Sequence, residues 1–219
     1  MYTCEYCKKS FKRENSLAVH MCEPKRRALS RNEKHVVAGY NAYNYWYKLA
    51  MGSKKDKTYE QFSSSQYYNA FVKFGRYVLD IRAVNPENYI KWLTLNKTRL
   101  EDWCKDSKYN KYLAEHSKTE TADRALERFI LTADSWASDK GLHWSDYFDK
   151  APAHVIVNHI AMGKVSPWII YSSDRAQVFL DSIPSEMLQQ IANTLDPAFW
   201  VRKTKLFPQD VKFINETIG

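Results

Sequence analysis

Residues 1–27 read MYTCEYCKKSFKRENSLAVHMCEPKRR, and their spacing decides how the chain begins to fold. Cys4 and Cys7 are two residues apart, and His20 follows Cys7 after twelve more. A Cys-x2-Cys turn presents two thiolates to one side of a metal, and a helix has to bring the other ligands. Leu17 and His20 stand three apart, on one helical face, so Leu17 can pack on Phe11 while His20 turns to the metal. Three of the four cysteines fall within the first 22 residues and Cys104 stands alone. That clustering fits metal binding in a reducing compartment better than a disulfide framework.

Tyr2, Cys4, Cys7, Phe11, Leu17 and His20 together resemble the C2H2 zinc-finger family. The resemblance implies a small ββα unit over residues 1–24 that binds Zn²⁺. The departure lies at its end, because the family places a second His three to five residues after the first. Residues 23–25 are Glu-Pro-Lys, none of which binds zinc. Cys22 is the nearest candidate, and His35 is a competitor that would have to reach across the basic segment. Residues two apart on a regular helix point about 200° apart, so His20 and Cys22 can share a metal only where the helix ends. Pro24 is expected to end it. The expected ligands are therefore Cys4, Cys7, His20 and Cys22.

By the family's skeleton, Arg13, Ser16 and Val19 occupy the positions that read bases in the major groove. Val19 offers only apolar contact, so the base code is poor. If the partner is nucleic acid, DNA foremost, binding is expected to be phosphate-dominated, through Lys8, Lys9, Lys12, Arg13, Lys25, Arg26 and Arg27, with Ser16 at a base-reading position. Single fingers also dock on proteins, which keeps a non-enzymatic adaptor or virion-assembly factor as the alternative.

Net charge is +8. Residues 1–34 hold nine Lys or Arg against four Glu, so +5, and the remaining 24 basic and 21 acidic residues give +3. The excess thus sits on the finger and on a basic linker over 25–34, the footprint of a polyanion binder. Hydrophobic content of 44% and charge of 26% suit a soluble globular protein. Apolar runs are too short to span a bilayer and no signal peptide is visible, so a cytoplasmic location is expected.

The rest reads as helices. Ser30-x-x-Glu33 has the form of a capping box, and apolar residues from Val36 to Ala50 recur at helical spacing until Gly52. Thr58 and Ser65 suggest N-caps, and Asn85-Pro86 a cap followed by proline at the first helical position. Further helices are expected near 86–95, 98–105, 108–116 and 120–139, with Ser173, Pro184 and Pro197 starting others. Only Trp168–Tyr171 resembles a strand. The expected fold is mainly α: a ββα finger followed by an all-α body over 35–219, with a soft boundary near 116–120. The tyrosine-rich segment Tyr40–Tyr47 matches one buried helix face better than a stacking platform. His143, Asp146, Asp149, His154 and His159 cluster in sequence as a conceivable nuclease site. His154 and His159, however, are five apart and fit one metal badly on a helix. The finger joined to an aromatic, Lys/Asn/Tyr-rich body also resembles orphan proteins of large tailed bacteriophages, which implies action in a host cytoplasm.

Overall fold

The computed structural model describes residues 1–218. The protein is mainly α-helical, with one small antiparallel sheet at its N-terminus. It divides into two compact units, Met1–Lys105 and Asp106–Gly219. The junction precedes the 116–120 segment, which lies within or just after a continuous helix.

In the first unit, β1 (Tyr2–Thr3) pairs with β2 (Ser10–Phe11), setting Tyr2 opposite Phe11. Helix α1 (Glu14–Ala18) completes the ββα finger. The segment read as a basic linker is instead mostly helical. It forms α2 (Glu23–Leu29) and a single 3-10 turn, Ser30–Asn32. Ser30 is therefore the C-cap of α2 and not the N-cap of α3 (Lys34–Met51), which starts from an extended Glu33. The capping box of this unit lies at Thr58, whose hydroxyl accepts from Gln61 N while the Gln61 side chain accepts from Thr58 N. It opens α4 (Tyr59–Ser63). Next come α5 (Tyr68–Asp80) and α6 (Pro86–Leu95), the latter capped by Asn85 with Pro86 in its first turn. The helix expected near 98–105 is only a 3-10 turn, Leu100–Asp102.

Helices α3 and α5 touch backbone to backbone at two glycines. A Cβ on Gly39 would lie 2.5 Å from Phe71 O, and one on Gly75 would lie 2.2 Å from His35 O. That approach lets aromatic side chains fill the flanks. Tyr43 is buried, with its ring centroid 5.1 Å from that of Phe62 and 5.4 Å from that of Phe71. Asn44 ties α3 to the loop before α4 through Lys57, accepting from its N–H at 2.7 Å. The Tyr40–Tyr47 segment is accordingly core-forming.

The second unit contains α7 (Asp106–Thr119), α8 (Ala122–Ser138), α9 (Tyr147–Lys150), α10 (Ala153–Ala161), α11 (Pro167–Ser172), α12 (Asp174–Ser182), α13 (Ser185–Leu195), α14 (Pro197–Leu206) and α15 (Pro208–Ile218). Its core runs along α8 through Ala125, Phe129, Ala133 and Ala137, against Ile156, Ile160, Trp168, Ile169 and Ile170. The expected strand at 168–171 is the buried helix α11, and Ser166 caps it ahead of Pro167. A short helix apolar on every side carries no amphipathic period, so it reads like a strand.

Candidate metal centre

The Cys4–Cys7 turn is closed by its own backbone: Cys4 N donates to Lys9 O and Lys8 N donates to Cys4 O, both at 2.9 Å. Lys8 takes a left-handed conformation, φ 63°, to make the turn. Helix α1 stops at Ala18, before His20, and Val19 is its C-cap. Pro24 therefore does not end the finger helix. It stands in the first turn of α2, where its fixed φ and missing N–H cost little, and Cys22 is the extended N-cap of that helix. The gap between α1 and α2 contains His20, Met21 and Cys22. Freed from helical phase, His20 and Cys22 face the same point.

The Sγ, Sγ, Nε2 and Sγ atoms of Cys4, Cys7, His20 and Cys22 lie within 4.8 Å of one another, so the four side chains form a group able to hold a metal ion. Cys4 and Cys22 sulfurs are 3.9 Å apart, and Cys7 Sγ is 3.2 Å from His20 Nε2. A tetrahedral ion with bonds of about 2.3 Å to sulfur and 2.0–2.1 Å to nitrogen requires roughly 3.8 Å and 3.6 Å for those two separations. The donor set fits. Cys4 is buried, and the Cys7 backbone N–H directed at its sulfur holds its thiol below the usual range, favouring the thiolate a metal needs. Phe11 packs on the His20 ring at 4.7 Å between centroids, and Lys25 Nζ donates to His20 O at 3.3 Å, bracing the extended segment. His35, the competing ligand, instead faces Arg76 at 3.2 Å and Glu33 at 3.4 Å. Among the described residues the finger is the one place where three or more His, Cys, Asp or Glu groups come close enough for an ion.

The basic residues of the finger divide into two sets. Lys8, Lys9, Lys12, Arg13 and Arg26 are exposed, as are Ser16 and Val19. Arg13 is the N-cap of α1, so Arg13, Ser16 and Val19 follow one another at the spacing of a single helical face. Arg27 belongs elsewhere. Its guanidinium lies 4.3 Å from the ring centroid of Tyr68 and donates to Ser63 O and to Glu23, while its own carbonyl accepts from Tyr59 OH. Arg31 follows suit, 4.9 Å from the Tyr59 ring. Sequence reasoning missed this seam because its aromatic half lies more than thirty residues downstream. A Lys/Arg run looks the same whether it faces water or tyrosine.

The groups around 143–159 have other partners. Asp146 accepts from Lys150 at 3.1 Å, which holds its carboxyl below the usual range, and Asp149 pairs with Arg175 at 3.1 Å. His143 Nδ1 meets Ser145, His159 Nδ1 meets the buried Tyr147 hydroxyl at 2.7 Å, and His154 is exposed. No family model matches the chain, and no solved structure matches it.

Proposed function

We propose that the chain is a zinc-stabilised nucleic-acid-binding protein whose finger holds Zn²⁺ through Cys4, Cys7, His20 and Cys22 and grips DNA mainly by its phosphates. The observation that carries the reading is the state of the finger's cations. Lys8, Lys9, Lys12, Arg13 and Arg26 are exposed, and the ion pairs of the first unit engage none of them. Unpaired surface cations can meet phosphates without breaking an ion pair, and they release counterions when they arrive. Arg27 leaves the expected contact set, since it is committed to Tyr68 and Ser63. Lys25 keeps a structural bond to His20 O and is a lesser contributor. The sequence resemblance to phage proteins extends the reading to a phage-encoded factor in a host cytoplasm.

A second reading, docking on a protein, is favoured by the apolar side chains the finger region leaves in water: Val19 is 82%, Met21 51% and Leu29 63% exposed. The two separate in one experiment on the zinc-loaded full chain, duplex binding by fluorescence anisotropy across a salt series. Replacing Lys8, Lys12, Arg13 and Arg26 together with Gln is expected to weaken binding to every sequence. It should also flatten the slope of log K against log salt by about 0.9 for each phosphate no longer engaged. Unchanged affinity and slope would overturn the proposal. Zinc measured on the same samples should be stoichiometric and should fall with Cys22→Ser.

A further inference from the structure

The second unit carries a groove of about 440 Å³ that the finger's chemistry does not explain. Trp168, Phe199 and Phe207 supply its aromatic surfaces, and Lys118, Arg202 and Lys203 its cations. Its volume falls in the ~300–1,000 Å³ range of small-ligand sites.

The charges are the informative part. Lys118 is taken by Asp196, at 2.5 Å, and the buried Glu120 carboxylate by Arg128 at 2.8 Å and by Ser166. Lys203 is different. Its ammonium sits over aromatic faces, 4.6 Å from the Trp168 centroid, 5.0 Å from Trp200 and 5.8 Å from Phe199. It donates one hydrogen bond, to Lys118 O at 2.8 Å, and forms no ion pair among the described residues. An ammonium has three donors, so two remain unused beside the groove. Burial pushes its pKa down, with Glu120 and Asp210 opposing that only from longer range. Arg202, also unpaired among the described residues, is exposed on the same helix, so the two unpaired cations outnumber the one unpaired anion of the lining, Asp210. Past the end of α14, Phe207 leaves 47% of its surface in water.

A half-desolvated cation short of acceptors, beside open aromatic surface, suits a ligand that joins an anion to a flat ring. We propose that this groove takes one nucleotide of an unpaired strand, its phosphate on Lys203 and Arg202 and its base against Phe207 and Phe199. The choice of a nucleotide rests on the nucleic-acid reading of the finger and deepens it: the second unit would hold single strand where the finger holds duplex. An acidic peptide satisfies the cations but brings no ring for Phe207.

The test titrates a fluorescein-labelled oligothymidylate and, separately, a labelled duplex against the zinc-loaded full chain. Phe207→Ala should weaken single-strand binding at least about fivefold, the loss of one stacked base. Arg202→Gln should lower the single-strand salt slope by about 0.7. Both should leave duplex affinity unchanged. Lys203→Met should act like Arg202→Gln but also removes the bond to Lys118, so the two exposed positions decide the outcome, with melting curves as a folding control. Oligothymidylate binding that survives both exposed substitutions overturns the proposal. So does an oligoglutamate peptide that binds through these residues while oligothymidylate does not. Failure of the finger reading looks different: the fourfold finger variant would then bind duplex like wild type, whatever the groove does.

Discussion

Replacing Arg27 tests whether the basic segment after the finger is a nucleic-acid arm or a structural seam. The side chain is 18% exposed and meets three partners: Ser63 O, the Tyr68 ring and Glu23. A hydrogen bond from a charged donor contributes about 1.5–3 kcal/mol, and a partly desolvated cation over an aromatic ring about 1–2 kcal/mol. The ion pair with Glu23 adds only a few tenths, because Glu23 is exposed. Against these stands the buried Arg27 Nε, which has no partner among the described residues. Its desolvation cost, about 1 kcal/mol or more, disappears with the side chain. Arg27→Ala is therefore expected to cost the first unit about 2–3 kcal/mol, a fall in Tm on the order of 10–20 °C for a unit of this size. Arg27→Lys should recover less than half of it, since one ammonium cannot serve Ser63 and Glu23 while lying flat on Tyr68. Calorimetry gives the melting temperature, and hydrogen exchange on α4 and α5 assigns the transition. Duplex binding well below the melt should keep its wild-type salt slope. A variant that melts with wild type but binds with a flatter slope would refute the seam and return Arg27 to the phosphate-contacting set.

Two further substitutions probe the packing. Gly75→Ala puts a Cβ 2.2 Å from His35 O and 2.4 Å from Gly39 N, atoms of backbone that cannot step aside. The helix-propensity gain of about 1 kcal/mol should be outweighed, giving a net loss of about 2–4 kcal/mol in urea unfolding; a neutral or stabilised variant would contradict the α3–α5 contact. In the second unit, burial lowers the pKa of His116, against the opposing pull of Glu120 at 3.9 Å and with a smaller push from Arg128. The unfolded chain then binds the proton more tightly than the folded one. Stability should rise with pH from His116's depressed value up to its ordinary value near 6.5. His116→Phe, stacked like the imidazole on Tyr112, should flatten that window, and a pH profile identical to wild type would refute the assignment.

The candidate metal group was legible because metal geometry restricts spacing more tightly than packing does. Cys4, Cys7 and His20 follow from intervals alone, and Cys22 from its being the nearest candidate where Glu23, Pro24 and Lys25 offer none. The mechanism was only half right. A helix end ahead of Cys22 was needed, but α1 ends at Ala18, already before His20, without help from Pro24, which stands in the first turn of α2. Proline's sequence signal is a helix boundary, and it does not say on which side the helix lies. The Ser30–Glu33 pattern failed for a related reason: a capping box is a local signal, and here Ser30 closes α2 and enters the Ser30–Asn32 turn instead of opening α3. Caps at Asn85 and Ser173, and Pro197 in the first turn of α14, were correct, because there the proline or cap sits directly before an amphipathic run. The groove on α14 had no sequence signature. Lys203 and Trp168 are thirty-five positions apart, and only the fold brings them within reach.

The placement of Cys22 ties the finger to the helices behind it. One residue belongs to the candidate metal group and is also the N-cap of α2, and α2 is only seven residues long. A helix that short is unstable alone, because nucleation costs more than its few hydrogen bonds return. Its contacts lie at both ends, at Cys22 in the candidate metal group and at Arg27 with Ser63, Tyr59 and Tyr68. Ligation of a structural zinc in finger peptides releases on the order of 10–16 kcal/mol. Under the proposed zinc reading, Cys22 and Arg27 lie on one short helix, so ligation at one end of α2 is linked directly to the contacts with α4 and α5 at the other.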